Sequence, residues 1–242
     1  MMPVLVIPLG DLAALVLFCV LWLGYGPIVR RLGRGTINMG LHSVRSLWMR
    51  AMLQRDNRIV DSALIGHVMH SASFFASTSL IAIGALLGVL TSIDRLQPAL
   101  EGLSMGVPVP RPLLELKVLL PLAVLVHGLF KLTWSLRQMN YTVALMGAAP
   151  RVPADPARRD ALAEAIGGVL SSAVLTFNDG IRSYYFAIAG LAWLAGPGWL
   201  AGAAAWLVAI LLHRQLGSKV SRQFKLARAL VEAGHAAEDL PP

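Results

Sequence analysis

Charge is scarce in this 242-residue chain: Asp, Glu, Lys and Arg make up 14% of it, against 56% hydrophobic residues. With a mean hydropathy of +0.65, that excludes an ordinary soluble domain and predicts an integral membrane protein. Acids are scarcer than bases, 13 against 21, for a formal net charge of +8. An excess of bases can serve nucleic acid or membrane topology, and distribution decides between them. The bases flank apolar runs instead of gathering on a polar domain, so no nucleic-acid partner is expected. Cysteine is almost missing, and Cys19 lies inside an apolar run, which excludes an internal disulfide. No Walker loop or nucleophile elbow occurs, and no paired buried carboxylates are evident, so neither an enzyme nor a cofactor is expected. His67 and His70, three residues apart, and His127 raise metal or haem, but no cysteine accompanies them and no metal is assigned. The acids lie near span ends, whereas proton-coupled transport usually rests on a carboxylate deep in the membrane.

What is present is a series of apolar runs. The fold expected is all-α, one polytopic helical membrane domain with five spans near 11–29, 62–91, 113–136, 181–195 and 199–213. The first could be mistaken for a signal peptide. It has no basic stretch before it and Arg30, Arg31 and Arg34 after it, so it reads as a retained span. Residues 37–54 read as an amphipathic cytoplasmic helix and 214–233 as a basic C-terminal helix. The second span belongs to a continuous helix expected from Asp56 to Leu90, with Ala63, Gly66, His70, Ser73, Ser77, Gly84 and Gly88 along one small, polar stripe. Lipid offers no hydrophobic gain for helix association, so close approach over Gly84 and Gly88 should hold this helix at the centre of the bundle. Proline and glycine between Pro98 and Pro112 predict a helix-poor connection, and residues 137–159 read as a polar loop, with a new helix starting at Asp160. Gly196-Pro197-Gly198 reads as a hairpin tip between the last two spans.

With the N-terminus outside and the C-terminus cytoplasmic in an inner-type membrane, all of the 21 bases except Arg95, Arg111 and Lys117 fall on the inner side. This topology brings Asp56, Arg58, Asp61, His67 and His70 of the second helix to one depth with His127, Lys131, Arg137 and Asn140 of the third and Asn178, Asp179 and Arg182 of the fourth. His127 and Lys131 lie deepest. Polar groups at membrane depth are costly, which makes these residues candidates for a ligand-binding vestibule. The competing reading is structural, with Lys131 paired to Asp61 or Asp179, or snorkelling to the surface.

The blocks Arg55-Asp56-Asn57-Arg58-Ile59-Val60-Asp61, Ser73-Phe74-Phe75-Ala76-Ser77-Thr78, Trp134-Ser135-Leu136-Arg137-Gln138-Met139-Asn140-Tyr141 and Arg182-Ser183-Tyr184-Tyr185-Phe186 resemble those of the membrane family catalogued as domain of unknown function 599. The resemblance implies a helical integral membrane fold and transfers no activity. Two functions are therefore expected from the residues: an oligomeric channel or transporter whose basic vestibule attracts anions, or a scaffold or accessory subunit whose basic inner face binds anionic lipid or a partner protein. Membrane lipid and a second copy of the chain are the expected partners.

Overall fold

The computed structural model describes residues 7–32, 37–103, 109–150, 155–216 and 219–238. Among them the chain is helical and without strands: α1 (Leu9–Leu32), α2 (Ile37–Gln54), α3 (Ile59–Thr91), α4 (Ile93–Leu103), α5 (Arg111–Ala148), α6 (Pro156–Leu191), α7 (Pro197–Leu216) and α8 (Lys219–Glu238). Five spans of the chain, Leu9–Val29, Ile59–Thr91, Arg111–Ala148, Pro156–Ala195 and Pro197–His235, are long and apolar enough to cross a membrane. The protein is an all-α helical bundle of membrane type. At about 1.5 Å per residue, the 33, 38 and 36 residues of α3, α5 and α6 exceed a hydrocarbon core of about 30 Å, which leaves whole turns of each helix for polar surroundings.

The chain forms two compact units. The first comprises residues 1–30, 75–131 and 179–211. Its core joins Phe18 of α1, Ile93 of α4, Leu114 and Val124 of α5, Phe186 of α6, the buried Trp193 and Leu200 of α7. On α1 the buried positions Asp11, Ala14, Phe18, Tyr25 and Val29 recur at three-, four- and seven-residue spacings, so they form a single helical stripe. A 3-10 turn over Ala192–Ala195 ends α6, and Gly196 follows at φ +134°, a conformation that favours glycine. Pro197 then opens α7, where its missing N–H costs nothing.

The second unit comprises residues 31–74, 132–178 and 212–242. Its core is Met49, Met52 and Leu53 of α2, Ile65 of α3, Met146 of α5, and Ala163, Ile166 and Leu170 of α6. Gly167 lets α6 approach the backbone of Ser46 so closely that a Cβ there would sit 2.9 Å from its Cα.

Three local expectations are corrected. The second long helix starts at Ile59 rather than Asp56, because the Asn57 side chain accepts the Ile59 amide at 2.9 Å and caps the helix there. The connection expected to be helix-poor contains α4, with Pro98 inside it and Ile93 buried. Its continuation through Gly106 and Pro108 lies outside the described residues. The loop expected from residue 137 is helix as far as Ala148, and α6 starts at Pro156 rather than Asp160. Met139, Thr142 and Met146 explain the extension, since they are a buried stripe at helical spacing.

Candidate functional site

In the first unit α5 and α6 cross at glycine. A Cβ on Gly128 would meet the Ser183 Cβ at 3.1 Å and the Gly180 carbonyl oxygen at 3.3 Å, so only glycine allows this approach without displacement. The residues on either side of that crossing, His127 and Lys131 on α5 and Asp179, Arg182 and Ser183 on α6, thereby line one cavity of about 120 Å³. Its third wall is α1, through Trp22, Leu23, Gly26 and Pro27. The Trp22 ring stands edge-on to His127, with centroids 5.3 Å apart.

The charges here are unequal in their commitments. Arg182 pairs with Asp179 one turn earlier on α6, and its guanidinium lies 4.9 Å from the centre of the Tyr25 ring. Ser183 donates its hydroxyl to the Asp179 carbonyl at 3.2 Å. Among the described residues Lys131 has neither an ion pair nor a hydrogen bond. With the arginine neutralised by its aspartate, one uncancelled cation faces the cavity. Pro27, also in this lining, lies inside α1 and has no N–H, so the Leu23 carbonyl lacks its i+4 amide.

The other expected vestibule residues lie in the second unit and are mostly engaged elsewhere. Asp61 is fully buried. Its Oδ1 accepts from Trp48 Nε1 at 2.7 Å and from Arg55 Nη1 at 2.6 Å, while Oδ2 has no partner among the described residues. Arg58 caps the C-terminus of α5, donating to the carbonyls of Met146, Ala149 and Pro150 at 3.0, 2.8 and 3.0 Å. Arg137 donates to the Tyr141 hydroxyl at 2.9 Å. Asp56, His67, His70 and Asn140 are exposed, and Asn178 is half-buried next to Asp179 in sequence. Ser135 and Gln138, which continue the Lys131 face, donate to the Ala173 carbonyl at 2.7 Å and the Ser172 hydroxyl at 3.0 Å. Among the described residues no three His, Cys, Asp or Glu side chains come together to hold a metal ion.

Sequence reasoning missed two features. Asp11 and Lys117, 6% and 3% exposed, face each other in the first unit with Nζ 3.8 Å from Oδ1, and the same oxygen accepts from Trp193 Nε1 at 2.7 Å. The signal is a lysine one turn inside an apolar run, a position that the count of bases on each side of the membrane treats only as an outer charge. The second is Arg45 on α2, whose guanidinium burial pushes its pKa down to about 10 and which has no partner among the described residues. Gly84 and Gly88 also behave differently from the packing expected of them. A Cβ at either would meet nothing within 4 Å, and of the five long helices α3 is the least buried. Its covered face is Asp61, Ile65, Ala72, Ala76 and Ser79 instead.

Comparison with known proteins adds one match. A family model described as "Protein of unknown function, DUF599" covers residues 13–220. No curated protein and no solved structure matches.

Proposed function

Since the chain belongs to the DUF599 family, which brings no activity with it, we propose a function from the site alone: an oligomeric anion channel or transporter whose binding site is the cavity of His127, Lys131, Asp179 and Arg182. The observation that carries this reading is the uncommitted Lys131 ammonium facing that cavity. The ion-pair form of the structural alternative needs a carboxylate for Lys131. Both candidates have other partners, Asp61 with Arg55 and Asp179 with Arg182. A buried or half-buried cation without a counter-charge is stabilised by an anion that enters beside it. The membrane is of the inner type in this reading, with the N-terminus outside, because that orientation leaves all but three bases on the cytoplasmic side. A second copy packs on the open stripe of Gly66, Gly84 and Gly88, where a Cβ added to any of the three would meet nothing within 4 Å beyond its neighbours in the chain and the backbone of its own helix.

The test is Lys131→Met, which keeps length and removes charge. At an effective dielectric constant of about 20, a unit charge about 4 Å away is worth about 4 kcal/mol before desolvation. Loss of at least about tenfold in anion affinity and in flux into proteoliposomes is therefore expected, with the melting temperature kept. A fall in thermal stability with anion binding unchanged would overturn the reading and leave a structural lysine.

A second reading has one observation in its favour. On α8 the exposed Lys219, Arg222 and Lys225 accompany Val220, Leu226 and Leu230, which are 70%, 59% and 67% exposed. That combination suits a helix lying on an anionic lipid surface, as a scaffold or accessory subunit would use it.

A further inference from the structure

The lining restricts the chemistry of what the cavity can hold. Its volume of about 120 Å³ leaves room for a small ion of a few non-hydrogen atoms, each about the size of a water molecule. The lining is of mixed polarity. Lys131 offers donors that nothing in the described residues uses, while two other lining residues carry acceptors: Asp179, one of whose oxygens is paired with Arg182, and Leu23, whose carbonyl is left without its i+4 amide by Pro27. A halide or a fully deprotonated anion satisfies the ammonium but faces those two oxygens without a proton to give them. An anion that also carries an O–H satisfies both, since its charged oxygens accept from Lys131 while its hydroxyl donates to an oxygen.

We propose that this pocket selects a small monovalent oxyanion bearing its own O–H, of the size and chemistry of bicarbonate or dihydrogen phosphate. The proposal rests on the anion reading above and narrows it to a ligand class. Pro27 becomes a specificity determinant: it frees one of the two acceptors that distinguish a protonated oxyanion from a bare one. Trp22 and His127 close the wall between α1 and α5.

Nitrate and bicarbonate provide the experiment, because both are planar, monovalent and built of four heavy atoms, and only bicarbonate has a hydrogen to donate. Binding of each sodium salt is measured by calorimetry on the full chain in phosphatidylcholine nanodiscs. Bicarbonate is expected to bind at least about tenfold tighter than nitrate, as a hydrogen bond involving a charged partner implies. Pro27→Ala returns an amide to Leu23 and is expected to narrow the ratio between the two affinities, with Asp179 still an acceptor, while nitrate binding persists. If that variant fails to fold, the ratio in the unaltered protein still decides. Equal affinities, both abolished by Lys131→Met, would overturn the ligand class and leave the anion site standing. Absence of binding by either salt would overturn both. Repeating the titration with phosphatidic acid in the disc separates a free anion from a lipid headgroup of the same chemistry. Unchanged bicarbonate binding is expected, and its displacement would make the phosphomonoester lipid the occupant and reject the free anion.

Discussion

Lys117 is 3% exposed and Asp11 6%, so each depends on the other for the counter-charge that water would supply at a surface. Removing one partner of such a pair strands the other, at a cost of about 3–5 kcal/mol. Lys117→Met is therefore expected to lower the melting temperature in detergent by several degrees. The double variant Lys117→Met with Asp11→Asn is expected to recover most of that loss, since an asparagine oxygen still accepts from Trp193. A double variant no more stable than the single one would show that the ion pair is not what holds these groups. At this scale the sequence was legible where spacing was local. His127 and Lys131, and Asp179 and Arg182, fall on one face of their helices at intervals of four and three, and each pair reaches the same cavity. Asp11 and Lys117 are more than a hundred residues apart, and no periodicity relates them. Asp61 was one of two carboxylates that the competing reading offered Lys131, but Arg55, six residues before it, holds its carboxylate.

Helices meet where side chains permit, and the glycines of this chain separate into those that touch and those that do not. Gly128 touches: its Cβ would lie 3.1 Å from Ser183 Cβ and 3.3 Å from the Gly180 oxygen. Gly128→Ala should force α5 and α6 apart, costing about 1–3 kcal/mol and weakening anion binding with it, as read by thermal melts and titration. Gly84→Ala meets nothing within 4 Å, and should leave the monomer as stable or raise it by up to about 1 kcal/mol through helix propensity. Gly84→Leu adds a test of assembly: dissociation of an oligomer on size exclusion, with the monomer still folded, is the outcome expected if a second copy packs there. Element types followed from composition, because long apolar runs in lipid must satisfy their own backbone as helix. Element ends did not. The start of α3 depends on one Asn57 side-chain hydrogen bond, and the end of α5 on the packing of Met139, Thr142 and Met146, neither of which an apolar run announces.

For the whole molecule, the orientation proposed above predicts reactivity from each side of the membrane. In a Cys19→Ala background, Gly102→Cys is expected to react with an impermeant thiol reagent in intact cells, whereas Pro153→Cys and Ala236→Cys should react only after permeabilisation. Labelling of intact cells at Ala236 would reverse the proposed side of the C-terminus. The sequence by itself determined that the chain is a membrane protein of all-α class with five apolar runs, because hydropathy and the need to satisfy every backbone polar group in lipid are properties of composition and run length. It also marked Gly196-Pro197-Gly198 as a break, since the conformational range of glycine and proline is intrinsic to those residues. Only the tertiary structure decided which of the polar residues share a site. Arg58 caps α5, Asp61 binds Arg55 and Trp48, and Lys131 is left facing a cavity without a partner among the described residues. The reason is physical: a charge finds its partner through distances set by helix crossings, such as the one at Gly128, and those distances depend on three-dimensional packing that no run of residues encodes locally.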